Sequence, residues 1–257
     1  MSELLEADAA QLMPLLVKES YKYTNLYSRE RIESRLLYLK NDIGLSIFIK
    51  DEGLNGYRYY FACNSIEHIE IFLNAHLEKL IVMDVVEKKN YQPISTYLKE
   101  RGQNPYRSLS RLVSTNNKIL NYRKSDNIYF ASVDDVNYII KSFLENFDIK
   151  SEQIPNNELI KEYINQKKVI IYKIQGKNVG FIIYDLMGKT QILKYWFVDE
   201  NYRKLGIGGD LYRQFQWLGR QCSKSLLWVL DDNTQVIKKY IKLNYKYDNL
   251  INNVYIK

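Results

Sequence analysis

The stretch that decides the fold is Asp199-Glu200-Asn201-Tyr202-Arg203-Lys204-Leu205-Gly206-Ile207-Gly208-Gly209. An apolar, strand-like segment at 190–198 precedes it, and a segment with helical periodicity follows it. Glycine lacks a Cβ, so the backbone can turn tightly and approach a ligand closely. The unpaired N–H groups at a helix start attract anions, and two cationic side chains stand beside them. The stretch therefore predicts an anion cradle, with a simple strand–turn–helix corner as the alternative.

The glycine spacing excludes two common phosphate motifs. It is neither the Gly-x-Gly-x-x-Gly pattern of dinucleotide-binding folds nor the pattern that ends in Gly-Lys-Ser/Thr. The loop therefore predicts neither a nicotinamide cofactor nor nucleotide hydrolysis.

Outward from this loop, the second half of the chain alternates strands and helices. Turn signals at Gln175-Gly176-Lys177-Asn178 and Met187-Gly188-Lys189 separate apolar runs. The predicted strands are 128–131, 168–175, 179–186, 190–198, 225–230 and one near Val254; the predicted helices are 136–146, 157–166, 208–220 and 234–243.

This segment resembles motif A of the GCN5-related N-acetyltransferase (GNAT) superfamily, Arg/Gln-x-x-Gly-x-Gly/Ala after a strand. Arg203, Gly206 and Gly208 match it position by position, and Val198 and Tyr202 match the residues usual before the arginine. Further on, Asn233 and Tyr240 are similar to the family's Asn-x6-Tyr segment. The usual Gly-Phe that follows is replaced here by Asn244-Tyr245, and asparagine tolerates the left-handed turn required. The resemblance covers about half of the chain. It implies an α/β (α+β) mixed-sheet GNAT acyl-CoA N-acyltransferase fold.

The resemblance also implies roles for particular residues. The backbone of Trp196, Phe197 and Val198 would bind the pantetheine arm of acetyl-CoA. Its pyrophosphate would be held by Arg203 and by the amides of Lys204, Leu205, Gly206, Ile207, Gly208 and Gly209. Tyr240 is the candidate proton donor, the alternative being a core tyrosine. Asn233 either caps its helix or contacts the cofactor.

A general base is not evident. Some family members carry glutamate at the position of Ile192, and isoleucine cannot accept a proton. Asp185, or Tyr195 acting through water, are weak alternatives. A base is dispensable where the substrate amine has a low pKa.

The first half carries no such loop. Helices are predicted over the first forty residues. The residues that fall at helical spacing are Leu12, Leu15, Leu16 and Glu19, and then Ile32, Leu36, Leu37 and Leu39. Strands are then expected at 44–49, 57–62, 80–86 and 106–113, with helices at 66–77, capped by Asn64-Ser65, and from Pro93 to Gly102.

A polar stretch at 116–126 is interpreted as a linker, so the predicted domains are 1–124 and 125–257. Asn90 and Tyr97 repeat the spacing of Asn233 and Tyr240 at an offset of 143 residues, which suggests tandem copies with a degenerate, substrate-shaping first half. At that offset, residues 60–65 align in sequence with motif A, but they lack its arginine and its glycines. An unrelated N-terminal domain is the alternative.

Composition sets further bounds. The net charge of +7 is spread over both halves, which suits a polyanionic ligand and also permits weak nucleic-acid binding. No recognised nucleic-acid motif accompanies this charge, so nucleic acid is not expected as a partner. Two cysteines and two histidines predict no metal site, and His68 and His76 are interpreted as solvated helix residues. Neither a signal peptide nor a membrane-spanning run is evident, so a cytoplasmic location is expected.

The resulting prediction is acetyl transfer from acetyl-CoA to a primary amine of a small molecule or peptide. The alternatives are a longer acyl or aminoacyl donor, or a CoA-binding sensor or interaction module without turnover. The acceptor is open, and the protein is expected to be a monomer or a homodimer.

Overall fold

The computed structural model describes residues 5–7, 21–25, 36–115, 122 and 125–257. The strands are β1 Leu5–Ala7, β2 Tyr23–Thr24, β3 Leu36–Asn41, β4 Gly44–Asp51, β5 Gly56–Cys63, β6 Ile81–Lys88, β7 Arg107–Ser114, β8 Ile128–Phe130, β9 Val169–Ile174, β10 Lys177–Met187, β11 Thr190–Val198, β12 Lys224–Leu230 and β13 Lys246–Ile256. The helices are α1 Glu70–Asn74, α2 Pro93–Glu100, α3 Val136–Asn146, α4 Asn157–Asn165, α5 Ile207–Leu218 and α6 Thr234–Lys242.

The chain forms two compact units, and neither is a single run of sequence. Unit 1 comprises Met1–Ser108, Ile149–Ser151 and Leu250–Lys257, and unit 2 comprises Leu109–Asp148 and Glu152–Asn249. Unit 1 therefore includes residues that follow position 124, and unit 2 includes residues that precede it. The division at residue 124 stays a prediction.

In unit 1, the strands are ordered β1-β3-β4-β5-β6-β13. The neighbours pair antiparallel except β5 and β6, which are parallel. Phe48, Phe61, Phe72 and Tyr255 are fully buried in its core. The last of these belongs to β13, so the C-terminal strand completes this core.

In unit 2, the order is β7-β12-β11-β10-β9-β8, again with one parallel pair, β11 and β12. Leu211 and Phe215 of α5 pack on one face of this sheet, together with Ile237 of α6. Ile139 and Phe143 of α3 pack on the other face. The mixed α/β fold predicted from the sequence is confirmed.

Three predictions in the first half are wrong in detail. Leu36, Leu37 and Leu39 lie in strand β3 rather than a helix, because pairing with β4 through the turn at 42–43 buries this segment. The remaining residues of that helical spacing, Leu12, Leu15, Leu16, Glu19 and Ile32, lie outside the described residues.

The predicted helix at 66–77 is a 3-10 turn at Ile66–Ile69 followed by α1, and Ser65 precedes it without a side-chain cap. His68 is buried rather than solvated, because the turn brings its Nε2 within 3.0 Å of Ser46 Oγ.

Candidate active site

The two parallel strands of unit 2 separate partway along their length. β11 and β12 pair from Thr190–Lys224 to Leu193–Leu227, and within residues 125–257 the pairing ends there. At this point the register between β10 and β11 shifts, from Tyr184–Leu193 to Ile183–Tyr195, which leaves Lys194 as an extra residue. Such a bulge bends a strand and increases its twist. Lys194 therefore marks where β11 turns away from β12.

Beyond the bulge, one edge of β11 has no strand partner among the described residues. Along the other edge, Trp196, Phe197 and Val198 pair with β10. The Val198 carbonyl accepts a hydrogen bond from Arg203 Nε at 3.1 Å. An unpaired strand edge presents amide and carbonyl groups that can take up an extended ligand. This places the three residues predicted to bind a pantetheine arm at the opening.

The loop after β11 turns through two left-handed residues into α5. Lys204 has φ +74° and Gly206 has φ +82°. A Cβ added to Gly206 would meet no atom within 4 Å, so its backbone angle, not crowding, favours glycine. The first closed turn of the helix is Asp210 N–H to Gly206 O at 3.0 Å. Within the described chain, the N–H groups of residues 204–209 have no acceptor.

Close packing explains the second glycine of the motif. A Cβ on Gly208 would lie 3.3 Å from Cζ2 of Trp196, so glycine allows the helix start to approach this ring. Ile207, at 2% exposure, anchors the helix start in the core. Arg203 and Lys204 are exposed beside the free amides. The result is an open, positively charged nest of the kind that binds phosphates.

Tyr240 belongs to α6 and lies beside Trp196 at the opening. Its ring centroid is 6.0 Å from that of Trp196 and 5.7 Å from that of Tyr245, and the residue is 8% exposed. Burial, and then the neighbouring Tyr245, raise the pKa of Tyr240. Among the described residues its hydroxyl has no hydrogen-bond partner, so its proton is not engaged in a structural contact.

The ends of α6 show how the flanking asparagines act. Asn233 caps the helix, its Oδ1 accepting from Val236 N–H at 3.4 Å. Asn244 has φ +64° and ends the helix in the left-handed turn expected of it. Tyr245 N–H then donates to Tyr240 O at 3.0 Å, which fixes the chain leaving the helix.

The residues considered as bases are engaged elsewhere. Asp185 is 4% exposed and pairs with Lys168 at 3.0 Å. The Tyr195 hydroxyl donates toward the backbone carbonyls of residues 152 and 153, at 2.7 Å from the latter. Ile192 is half-buried and has no titratable group. These contacts give Asp185 and Tyr195 structural roles.

Two features of the site escaped the sequence analysis. The bulge at Lys194 depends on pairing with β10 and has no local signal. Tyr212 stacks on Trp196, with ring centroids 5.3 Å apart and planes at 21°. Its position four residues after Gly208, on the sheet-facing side of a predicted helix, was an available signal.

Within the described residues, no helix is long and apolar enough to cross a bilayer, and no three or more His, Cys, Asp or Glu side chains are grouped as a metal site would need.

The open strand edge and the glycine loop agree with the GNAT resemblance of the sequence. Residues 136–245 match the model of the acetyltransferase (GNAT) family. This segment is therefore a GNAT domain, as the motif predicted. None of the curated proteins matches the sequence significantly.

Solved structures with this fold cover most of the chain. A GCN5-related N-acetyltransferase from Sphaerobacter thermophilus is 11% identical, with a TM-score of 0.59 over 87% of this chain and 79% of its own. A GNAT-family acetyltransferase from Colwellia psychrerythraea is 13% identical, with a TM-score of 0.56 over 99% of both chains. A tandem GNAT protein from the clavulanic acid biosynthesis pathway is 9% identical, with a TM-score of 0.59 over 99% of this chain and 98% of its own. At these identities the likeness is one of fold.

Proposed function

We propose that this protein is an N-acetyltransferase that moves an acetyl group from acetyl-CoA to a primary amine of a small molecule or peptide. The observation that carries the proposal is the run of amides at residues 204–209, which have no acceptor among the described residues and lie directly beside the opening between β11 and β12. A phosphate-binding nest and an open strand edge together suit a ligand with a charged end and an amide-rich arm.

The residues present fit acyl-CoA. Residues 204–209 and the side chain of Arg203 would hold the pyrophosphate, and the open edge at residues 196–198 would hold the pantetheine arm. When bound, acyl-CoA supplies an activated thioester. The chain has to orient it, exclude water and provide a proton for the leaving sulfur.

Tyr240 is the residue proposed to provide that proton. Its raised pKa keeps Oη protonated at neutral pH, and the hydroxyl is not bonded to another described group. The packing of its ring on Trp196 and Tyr245 limits its orientation. No residue is assigned as base, and an amine of low pKa would need none.

A second candidate is a CoA-binding sensor or interaction module without turnover. The apolar Ile192, and the structural contacts of Asp185 and Tyr195, favour it, because they leave these positions without a free base. The available proton of Tyr240 favours catalysis. A longer acyl or an aminoacyl donor is the third version.

Calorimetric titration with acetyl-CoA, CoA and a longer acyl-CoA, followed by thiol release with a library of amines, separates these functions. Binding with thiol release supports transfer, and the preferred donor identifies the acyl group. Binding without thiol release from any amine supports the sensor. Absence of binding by all three ligands would overturn the proposal.

Gly208→Asp tests the cradle itself. A carboxylate beside the pyrophosphate should weaken acetyl-CoA binding about a thousandfold, since unit charges about 4 Å apart at a protein surface interact by about 4 kcal/mol and about 1.4 kcal/mol corresponds to a factor of ten. Gly208→Asn is the matched control, because it has nearly the same shape and lacks the charge. Calorimetry on both folded variants is the measurement. Equal affinities of the two variants would show that charge at this position does not matter.

A further inference from the structure

The parallel strands of unit 1 separate as those of unit 2 do. β5 and β6 pair only at Tyr57–Ile81 and Arg58–Val82 in the described residues, and β5 then continues to Cys63. Its other edge is fully paired with β4. Unit 1 therefore has an opening in the position that the proposed acyl-CoA site occupies in unit 2.

In unit 1 this opening is filled by the chain itself. β2 pairs antiparallel with the free edge of β5, at Tyr23–Cys63 and Thr24–Ala62. The Thr24 hydroxyl donates to the Phe61 carbonyl at 2.9 Å, and the Asn25 amide N–H donates to the same oxygen at 3.2 Å. The backbone groups that stay open in unit 2 are thus taken in unit 1.

The side chain of Asn25 spans the two separated strands. Its Nδ2 donates to Tyr59 O on β5 and to Asp84 O on β6, each at 3.0 Å. Its Oδ1 accepts from Phe61 N–H at 2.7 Å. The residue is 2% exposed, and every hydrogen of its amide group is used. Such a buried and fully bonded amide holds its segment firmly.

The turn after β5 also differs from a phosphate nest. It has no glycine, it leads into a short 3-10 turn and the short helix α1, and Glu67 lies in its first turn. Two of its amides are bonded within the chain, Asn64 N–H to Ile43 O at 2.9 Å and His68 N–H to Ser65 O at 3.3 Å. Neither end of the opening in unit 1 suits acyl-CoA.

We infer that unit 1 is a closed copy of the site, in which β2 and the Asn25 amide occupy the place of the ligand, so that the chain binds one acyl-CoA. Asn25 is the positioning residue that joins β5 to β6. The comparison with unit 2 rests on the proposed function, whereas the closure of unit 1 does not.

Amide hydrogen exchange of the full chain, with and without acetyl-CoA, tests this. Phe61 N–H points away from β4 to Asn25, so it should exchange slowly in both samples. The amides of residues 204–209 should exchange rapidly alone and slowly with acetyl-CoA, and calorimetry should give one site per chain. Rapid exchange at Phe61, a change there on adding acetyl-CoA, or a second bound acetyl-CoA would overturn the inference. A protected Phe61 with no response at 204–209 and no binding would support closure while removing the proposed function.

Asn25→Ala directly tests the hydrogen bonds by which the Asn25 side chain joins β5 to β6. Loss of the side-chain acceptor should speed exchange of the Phe61 amide roughly tenfold or more. Thr24→Val is the control, since it removes one bond to Phe61 O and leaves the Phe61 N–H bonded. Unchanged protection in a folded Asn25→Ala protein would contradict the role of Asn25. If this variant does not fold, the wild-type exchange pattern decides.

Discussion

At the scale of single residues, two glycines of the loop serve different physical needs. Gly206 takes a left-handed backbone angle in open space, whereas Gly208 takes an ordinary angle and leaves room for Trp196. A side chain at the first position would strain the backbone, and one at the second would displace a ring of the opening. Both conditions keep the amides of residues 204–209 accessible.

Tyr240→Phe is expected to lower kcat about a hundredfold, the scale of losing a positioned proton donor. Affinity for acetyl-CoA and stability should hardly change, because the hydroxyl has no partner among the described residues. Steady-state kinetics with thiol detection, together with calorimetry, measure the two effects. The control is Tyr97→Phe, at the repeat position in unit 1, where the hydroxyl donates to Glu70 at 2.9 Å. An equal loss of kcat in both variants would argue against a role specific to Tyr240.

The pH dependence of kcat follows from the same residue. Burial raises the pKa of Tyr240 above the value of about 10 for a free phenol, so the donor stays protonated as the pH rises to 10. The kcat profile should therefore show no decline from this group between pH 7 and pH 10. A decline below pH 10 that is lost in Tyr240→Phe would contradict the assignment.

At the scale of secondary-structure elements, the opening depends on where strand pairing stops. The bulge at Lys194 redirects β11 directly after Leu193, the last described residue that pairs with β12. In unit 1, β5 and β6 separate after Arg58–Val82. Each unit thus has a parallel strand pair that separates. The opening between β11 and β12 has no such strand among the described residues, whereas β2 fills the opening between β5 and β6.

Asn233→Ala should destabilise α6 by about 1 kcal/mol, the usual effect of losing an N-cap. Asn156→Ala is the matched control, because Asn156 caps α4 through Leu159 N–H at 2.9 Å. Urea unfolding should show similar losses for both variants, and calorimetry should show unchanged affinity for acetyl-CoA. A weaker affinity in Asn233→Ala alone would assign this residue to the cofactor site instead.

At the scale of the whole molecule, each unit requires a strand from a distant part of the sequence. Residues 109–114 of β7 pair with β12 in unit 2, and Leu112 is fully buried there. Leu250–Ile256 pair with β6 in unit 1, where Val254 is fully buried. Cutting the chain in the polar linker at 116–126 would therefore separate residues 109–114 from unit 2 and residues 250–256 from unit 1.

A fragment of residues 125–257 is therefore expected to be less stable than one of residues 109–257. The difference should be about 3 kcal/mol or more, the scale of deleting one fully buried leucine. Urea unfolding of both fragments measures it. A fragment of residues 109–249 is the control and should match 109–257, since residues 250–257 belong to unit 1. Equal stability of 125–257 and 109–257 would show that β7 is not needed.

The sequence by itself determined the features that depend on neighbouring residues. The strand–glycine loop–helix order identified the GNAT domain, and the turn signals located most strands and helices of residues 128–257. Asn244 was expected in a left-handed turn and has φ +64°. These features are local, because backbone angles, caps and periodicity are read within a few residues.

The tertiary structure alone decided what depends on distant partners. Leu36–Asn41 became a strand because β4 pairs with it, and His68 was buried by its contact with Ser46. The pairing of residues 109–114 with β12, that of residues 250–256 with β6, and the filling of one opening by Asn25 are likewise contacts across tens of residues. The bulge at Lys194 depends on the register with β10. Hydrogen bonds and burial between such segments leave no periodic trace in either one, so only the folded chain defines them.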